Sequence, residues 1–353
     1  MKLNNLDSNI ILSSMKEAEE AIKGNEIPAG YIEINLSTKG KVGAPKSFHI
    51  RNFKVGEILT LSLSSDEELP RRLIDILNDA ILEDVDVSQF HENEVIELML
   101  YIYSSFYQRV IEDIQFPLDE EDIDHISSTN EALLKDLAEG KWIPRTSIDI
   151  NSDIDLYDID EDAFNPNITI KDKQTGFYVT FGFIKYGDRL VVKKWLDDFY
   201  KEEEAKFEKI KKQIQYNNSF ARNPERQIKI DPDEEKAYND YLTEKMQTLA
   251  DVSRIISITD YNGMDVSNMA IGDKYKLMSS DARIDYGMIS KLIKRQNKTP
   301  FGLKPIVRMK DPILNKPCER RFSFRIPLII QAMQVSGYDR YDDGYDDEDI
   351  DNL

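Results

Sequence analysis

The stretch that decides the predicted fold is Glu92–Ile111, which reads ENEVIELMLYIYSSFYQRVI. Its apolar residues recur at steps of three or four, the spacing of one helix face: Val95, Leu98, Met99, Ile102, Phe106 and Val110. A second set widens this face almost to a full circle: Ile96, Leu100, Tyr103 and Tyr107. A helix that is apolar nearly all round is buried nearly all round. The stretch therefore predicts a central helix, and because it holds no His, Cys, Asp or Lys we assign it to packing and not to a site.

The residues before the central helix predict a β-hairpin followed by two short helices. The hairpin strands run from Tyr31 to Leu36 and from Phe48 to Phe53, around a Gly- and Lys-rich turn at Lys39–Gly43. Apolar spacing then predicts helices over residues 55–61 and 73–81. The second helix has candidate caps in Ser65 and Asp66, Glu68 behind them, and Pro70 in its first turn. Three helices with short connections indicate a small antiparallel cluster.

The residues after the central helix predict one more helix and then a β region. Ser128 and Glu131 form a capping-box pattern, and Gly140 marks the end of that helix. Apolar residues between Ile148 and Ile159 alternate with Asp, which is typical of a strand. The run over residues 167–187 predicts a hairpin that turns near Gln174–Gly176.

Two further parts of the chain have helical patterns. Residues 8–24 predict an amphipathic surface helix with an apolar stripe that consists of Ile11, Met15, Ala18 and Ile22. Residues 188–297 predict an almost wholly helical module, with one long helix up to Tyr216 and another that begins at Asp231. The only β signal in this module is a short run at Ile255–Ile258.

Prolines at 300, 305, 312 and 317 exclude a helix through the next stretch. Alternation at Ile306 and Arg308, and then at Phe322, Phe324 and Ile326, predicts two strands around the DPILNKP turn. We expect this hairpin to return to the first β region and close the domain.

These patterns together predict an α+β fold: a small helical cluster plus antiparallel β-hairpins, with an inserted helical module and a disordered acidic C-terminal tail. The predicted divisions are an N-terminal α+β domain (1–187), the helical module (188–297), a closing β-hairpin (298–336) and the tail (337–353). The tail is predicted to be disordered because it is rich in acidic residues and poor in apolar ones.

Charge restricts the classes of partner. The chain of 353 residues has a formal net charge of −20, of which the last sixteen residues supply −7. A protein this acidic repels nucleic acid, since phosphate binding needs a positive surface. No apolar run approaches the 18 residues of a membrane span. We therefore expect neither nucleic acid nor membrane among the partners.

The sequence gives little support for a metal, a cofactor or an enzyme active site. The best calcium pattern is Asp158, Asp160 and Asp162, but Ala163 and Thr169 occupy positions where an EF-hand needs Gly and Glu. The turn at Lys39–Gly43 suits a phosphate, but no Gly-Lys-Ser/Thr signature follows it. No catalytic motif is present, and the three His residues are far apart in sequence. We predict no cofactor, no metal and no enzymatic activity.

The single cysteine and one loop are the remaining candidates. Cys318 lies near Arg320 and Arg321, which would lower its pKa, although a structural cysteine without a catalytic partner is the commoner case. The loop NNSFARNPERQ and the helix before it mix aromatic residues with arginine, as interface centres do. The predicted interface residues are Phe207, Tyr216, Phe220, Arg222 and Arg226, and the alternative is that Phe220 packs under its own helices.

The order of segments resembles that of tailed-phage baseplate hub subunits of the T-even type. The resemblance lies in IPAGYIEINL, SFHIRNFKVGEILTLSLS, RRLIDILNDAI and HENEVIELMLYIYSSFYQ, and in the closing segment KPCERRFSFRIPL. Ile50–Phe53 with Glu57 matches the helix entry of that family, and Glu94, Glu97 and Leu98 match its central helix. Relatives often carry paired cysteines in the closing segment, whereas this chain has Cys318 alone. The similarity covers about residues 30–185 and 300–335 and implies no catalytic residue.

The resemblance implies a structural subunit of a contractile phage tail, in or around the baseplate, that acts by protein–protein binding. Its expected partners are other tail or baseplate proteins in a symmetric assembly, and its expected location is the virion, with the host cytoplasm during assembly. A tail-assembly chaperone that is absent from the finished particle is the alternative. A hydrolase is a third hypothesis, which requires a pocket with converging carboxylates.

Overall fold

The computed structural model describes residues 27–65, 67–194, 252–296 and 298–339, together with scattered positions between 196 and 212. This part of the chain combines helices with antiparallel sheets, so the predicted α+β class is confirmed. The predicted helices at 8–24 and from Asp231 lie outside the described residues. No described helix is both long enough and apolar enough to cross a membrane.

The described residues form the following helices and strands, given in chain order. The helices are α1 (Val55–Ser62), α2 (Leu69–Ala80), α3 (Glu92–Phe106), α4 (Glu120–Thr129), α5 (Glu131–Ala138), α6 (Ile150–Asp153), α7 (Ile271–Ser280), α8 (Tyr286–Gln296) and α9 (Ile326–Asp339). The strands are β1 (Tyr31–Ile34), β2 (Phe48–Arg51), β3 (Val110–Gln115), β4 (Arg145–Asp149), β5 (Ile154–Leu156), β6 (Ile168–Lys171), β7 (Tyr178–Phe181), β8 (Ile258–Tyr261), β9 (Met264–Asp265), β10 (Leu303–Lys310) and β11 (Pro317–Arg321). Residues 186–194 and 252–256 are also helical.

The predicted hairpin and the two helices after it are confirmed. Strand β1 pairs antiparallel with β2, with Tyr31 opposite Arg51. Arg51 forms a bidentate ion pair with Glu57 of α1, at 2.8 and 3.0 Å, and also contacts Asp79 of α2. The end of the hairpin is therefore joined to both helices by one guanidinium group.

The predicted central helix is present, but it is shorter than predicted. It ends at Phe106, and Val110 and Ile111 belong to β3 instead. Ile111 lies opposite Ile148 of β4 and is fully buried there. If the helix continued through Ile111, the pairing of β3 with β4 would be lost. A contact between residues distant in sequence therefore overrides the local helical periodicity. Within the helix, Leu98, Met99 and Ile102 are fully buried, as predicted.

The cap of the next helix was predicted wrongly. Asn130 caps α5 by accepting a hydrogen bond from the Leu133 backbone N–H at 3.1 Å. Ser128 lies inside α4 and bonds to the carbonyl of His125. Two consecutive short helices share residue 130 as C-cap and N-cap, a junction that the capping-box pattern does not reveal. Gly140 follows the end of α5 with φ of +69°, as its predicted role requires.

The predicted β region consists of more separate strands than the alternation of its apolar residues predicted. The predicted strand between Ile148 and Ile159 is interrupted by α6 and yields two separate strands, β4 and β5. The predicted hairpin at 167–187 is confirmed as β6 and β7. Strand β7 also pairs with β8, which pairs with β9, so the four strands make one sheet. The prediction that residues 188–297 lack β structure apart from a short run at Ile255–Ile258 is wrong, because β8 and β9, at residues 258–265, supply two of the four strands of this sheet.

A closing hairpin that returns to the first β region is present as predicted, but its second strand is Pro317–Arg321 and not the predicted stretch Phe322–Ile326. Strand β10 pairs with β11 and, on its other edge, with β5 of the first β region. The extended assignment of Phe322–Ile326 and the predicted start of the tail at Gly337 are both wrong. Residues 326–339 form α9, with Pro327 in its first turn, where a missing N–H costs little.

Two main apolar cores organise the described residues. The first surrounds α3 and takes side chains from the hairpin, α1, α2, β3, β4, β10 and α9. The second lies on the four-stranded sheet and combines β6 and β7 with β8, α7 and α8. The hairpin of β6 and β7 thus shares its core with residues beyond 187, across the predicted division of the chain.

Candidate binding surfaces

The residues predicted as an interface, Phe207, Tyr216, Phe220, Arg222 and Arg226, lie outside the described side chains, so the structure does not place them. The described residues offer four other features that bear on function. They are a loop held on the central helix, an ion network, a pocket beside His91 and an exposed apolar row on α1.

The Lys-rich loop (residues 36–47) is held by a buried carboxylate of the central helix. Glu94 is fully buried and accepts hydrogen bonds from Thr38 Oγ1 at 2.6 Å, Gly43 N at 3.1 Å, Ala44 N at 3.2 Å and His91 N at 2.9 Å. Backbone amides in such a loop can bind phosphate, but here those of Gly43 and Ala44 bind Glu94. The turn is therefore a structural anchor in this chain.

Glu97 provides a second anchor one turn further along α3. Its two oxygens accept hydrogen bonds from the Ser37 backbone N–H and hydroxyl, each at 2.7 Å. Burial raises the pKa of the Glu97 carboxyl, and the nearby charge of Glu94 raises it further, whereas the bonds from Ser37 act in the opposite direction. A helix assigned to packing alone thus carries two carboxylates that fix the loop.

Gly43 shows how closely the loop lies against the body. A Cβ atom at this position would meet the Gln89 carbonyl oxygen at 2.3 Å and Phe90 Cα at 2.7 Å. Only glycine fits such an approach of backbone to backbone. Two lysines of the loop make ion pairs with the segment after β5, Lys39 with Asp158 and Lys46 with Glu161.

The three aspartates considered for calcium do not converge. Asp158 pairs with Lys39 at 3.1 Å, and Asp160 accepts hydrogen bonds from the backbone of Asp162 and Ala163. No group of three or more His, Cys, Asp or Glu side chains suited to a metal ion occurs among the described residues.

An ion network surrounds Arg320 on β11. Its Nη2 lies 3.0 Å from carboxylate oxygens of Asp119 and Asp122 and 3.7 Å from Asp311. Asp122 and Asp311 are fully buried, and the guanidinium also lies over the ring of Phe116. The network joins the closing hairpin to the first turn of α4.

Cys318 lies beside this network, and the lowering of its pKa that the nearby arginines could cause is not found. Burial raises the pKa of the Cys318 thiol, and this effect exceeds the opposing charge of Arg320. Sγ lies 3.5 Å from the Met309 carbonyl oxygen, to which it donates. A thiol with a raised pKa is a poor nucleophile at neutral pH.

A pocket of about 470 Å³ lies where α3 begins. Its walls combine aromatic and aliphatic side chains with several polar groups, and none of the lining residues is acidic. The lining residues are His91, Asn93, Tyr157, Phe164, Pro166, Ile168, Gly182, Phe183, Ile184, Arg254, Gln296, Thr299, Pro300, Phe301 and Leu303. Converging carboxylates, which the hydrolase hypothesis requires, are thus absent from this described pocket.

His91 is the best defined polar group of the pocket. Its Nδ1 accepts a hydrogen bond from the Asn93 backbone N–H at 3.0 Å and so caps α3, which places the proton of the neutral ring on Nε2. Burial lowers the pKa of His91 to about 4, and the nearby charge of Arg189 acts in the same direction. The ring is therefore neutral at pH 7 and stacks edge-on against Phe301.

The outer face of α1 carries an exposed apolar row, the α1 stripe (Val55, Leu59 and Leu63). Their exposed fractions are 75%, 48% and 84%. The residues are spaced at steps of four, and Leu63 is the C-cap residue of α1 with a helical backbone conformation, so all three lie on one face. The opposite face is already packed, because Leu61 is buried and Ile58 contacts the first core.

No protein-family model, curated protein or solved structure matches this chain. The resemblance to baseplate hub subunits therefore remains a prediction.

Proposed function

We propose that the protein is a structural subunit of a contractile phage tail, in or around the baseplate, and that it acts by binding other tail or baseplate proteins. The observation that carries the proposal is the α1 stripe. Three aliphatic side chains in one row cost free energy in water and are stabilised when another apolar surface covers them.

Contacts at its first turn hold α1 in place, which suits a helix that presents a binding surface. Glu57 accepts a hydrogen bond from the Lys54 backbone N–H at 2.7 Å and forms the bidentate ion pair with Arg51. The helix is thereby fixed to the hairpin at its first turn. A rigid element loses little conformational entropy when a partner binds to it. The segment that resembles the phage family also includes α1, which connects the stripe with the proposed class of protein.

Replacing the stripe leucines tests the proposal. Leu59→Gln with Leu63→Gln should leave folding unchanged, because both side chains are exposed, and should lower incorporation of the subunit into tails at least tenfold. The control is Thr60→Gln with Ser64→Gln, which adds the same side chains beside the stripe. Quantitative mass spectrometry of purified particles measures incorporation. Normal incorporation of the stripe variant would contradict the role of α1.

The same measurement separates a subunit from an assembly chaperone. A structural subunit is found in purified virions in a fixed ratio to other tail proteins. Absence of the wild-type chain from virions, with its presence in infected cells, would contradict the structural role and favour the chaperone.

A further inference from the structure

We propose that the pocket at the start of α3 binds a small planar aromatic molecule that carries a carboxylate group. None of the lining residues belongs to α1, so the site is separate from the α1 stripe and does not depend on a role in a phage tail. The volume of about 470 Å³ lies in the range of about 300–1,000 Å³ that is usual for small-molecule sites. The pocket takes Leu303 from the side of the first core and Ile168 from the side of the second, and ligand sites occur preferentially at such junctions.

Contacts between segments distant in sequence fix the walls of this pocket. The Asn93 side-chain amide donates a hydrogen bond to the Phe301 carbonyl oxygen at 3.3 Å, and the Tyr157 backbone N–H donates to the Gly302 carbonyl oxygen at 2.9 Å. A Cβ atom on Gly302 would lie 2.9 Å from Asn93 Cβ, so the residues just before β10 lie directly against the first turn of α3. A pocket whose walls are held in this way loses little conformational entropy when a ligand enters.

The aromatic residues of the pocket favour a planar aromatic ring. The Phe301 ring lies edge-on to His91, with centroids 4.9 Å apart, and edge-on to Phe164, with centroids 5.9 Å apart. Phe183 and Tyr157 also line the pocket, and all of these side chains are only partly buried. A ring that enters the pocket therefore removes apolar surface from water. It also forms stacked or edge-on pairs with the aromatic walls, which a saturated ring of the same size cannot form.

His91 supplies a hydrogen-bond donor for such a ligand. Its Nδ1 accepts a hydrogen bond from the Asn93 backbone N–H, so the neutral ring carries its proton on Nε2. Nε2 forms no hydrogen bond with any residue that the structure describes. Because His91 lines the pocket, this N–H group can donate to an acceptor on a bound molecule.

Charge selects a carboxylate as that acceptor. Arg254 brings a positive charge to the lining, His91 is neutral, and no lining residue is acidic. Charge-assisted hydrogen bonds from such donors to a carboxylate are stronger than those to a neutral acceptor. The chain has a net charge of −20, but exposed charges more than about 10 Å away are largely screened at 0.1 M salt. An aromatic acid is therefore favoured over an aromatic amine.

Binding of matched probes to the full-length wild-type protein tests the class of ligand. Isothermal titration calorimetry at neutral pH compares 2-naphthoate with the saturated acid decahydro-2-naphthoate and with the cation 2-naphthylmethylammonium. The three probes share a bicyclic skeleton, and each analogue differs from 2-naphthoate in aromaticity or in charge. We expect 2-naphthoate to bind at least about ten times more tightly than either analogue.

A substitution at the rim tests whether the probe binds in this pocket. Thr299 lines the pocket and is exposed, so Thr299→Trp adds a large side chain there without disturbing either core. We expect this variant to bind 2-naphthoate at least about ten times more weakly than wild type. Lys298→Trp is the matched control, because Lys298 is exposed and does not line the pocket, and it should bind as wild type does.

A second substitution tests the donor. His91→Asn keeps an N-cap for α3 but removes the Nε2–H group, and we expect it to weaken binding of 2-naphthoate about fivefold. His125→Asn, at an exposed position outside the pocket, should leave the affinity unchanged. Melting temperatures of all four variants show which of them fold as wild type does, and the Thr299 comparison stands even if the His91 variant is unstable.

Three results would overturn the proposal. Absence of binding of 2-naphthoate to the wild-type protein at about 1 mM would show that the pocket does not accept this class of ligand. Equal or tighter binding of the saturated acid or of the cation would contradict the assigned chemistry. Binding of 2-naphthoate to Thr299→Trp with the affinity of wild type would place the probe elsewhere on the protein.

Discussion

Two glutamates three residues apart on the central helix have different energetic roles. Glu94 accepts four hydrogen bonds, and both of its oxygens face backbone N–H groups. Glu97 accepts two bonds from one residue, and burial raises the pKa of its carboxyl. The negative charge is therefore necessary at Glu94, whereas at Glu97 it costs free energy of folding.

Glutamine substitution should separate these roles. Glu94→Gln is expected to lower the free energy of unfolding by about 2 kcal/mol, because an amide nitrogen then faces a backbone donor. Glu97→Gln is expected to be neutral or stabilising at pH 8, since it removes a buried charge and keeps an acceptor for Ser37. Urea denaturation of both variants checks the prediction.

The pH dependence of the Glu97 variant has a defined sign. The raised pKa means that the folded state retains the Glu97 proton more strongly than the unfolded chain. That contribution is complete below the unfolded pKa and is lost as the pH rises toward the folded pKa. The advantage of Glu97→Gln over wild type should therefore grow between pH 4.5 and pH 8. A constant difference would contradict the assigned shift.

His91 should give a pH dependence of opposite sign. Its folded pKa is about 4, below the usual value near 6.5, so the unfolded chain binds the proton more tightly. Stability should fall as the pH drops from 6.5 to 4, by up to about 3 kcal/mol. His91→Asn keeps an N-cap and should lose this component, whereas His125→Asn, at an exposed position, should retain it. Equal pH slopes for the two variants would show that His91 is not responsible.

The polar contacts of His91, Glu94 and Glu97 were poorly predictable from the sequence. His91 and Glu94 form a capping box, but histidine is an unusual N-cap, so the sequence pattern does not reveal it. Glu97 lies among apolar neighbours, and a carboxylate on an apolar helix face is a signal for a buried polar contact. The loop residues that donate to the two glutamates lie 50 to 60 residues earlier in the chain, so local spacing could not predict them.

At the scale of elements, local periodicity predicted where helices and strands occur better than where they end. The central helix stops at Phe106 because Val110 and Ile111 pair with β4. The strand predicted through Ile326 gives way to α9 because Ile329, Ile330 and Met333 pack into the first core. Both boundaries depend on neighbours that only the tertiary structure supplies. The hairpins were predictable because their strands are adjacent in sequence.

The ion network at Arg320 should control the attachment of the closing hairpin. Arg320→Ala leaves Asp122 and Asp311 buried without their cation, and removal of one partner from a buried pair costs about 3–5 kcal/mol. Arg321→Ala is the control, because Arg321 is exposed on the same strand and should change stability by less than about 0.5 kcal/mol. Denaturant titration measures both, and a similar small effect for the two variants would contradict the structural role of the network.

At the scale of the molecule, the two main cores are assembled from segments far apart in sequence. Strand β10 closes the first core by pairing with β5, about 150 residues earlier, as the sequence predicted. The second core joins β7 to β8 across the region that was assigned to a separate helical module. The run at Ile255–Ile258 gives only a weak β signal, because a strand of four residues, such as β8, carries little periodicity of its own.

The C-terminal boundary of the folded body gives the final prediction. Deletion of residues 340–353 should change the melting temperature by less than about 3 °C, because half of these residues are acidic and few carry apolar groups to bury. Deletion from residue 329 onward should abolish soluble expression, since it removes Ile329, Ile330 and Met333 from the first core and Ser336, which bonds to Tyr103. Differential scanning calorimetry compares the shorter deletion with the full chain. A large fall in its melting temperature would mean that the acidic residues bind the body, and the ionic strength at which the fall disappears would then show whether charge holds them there.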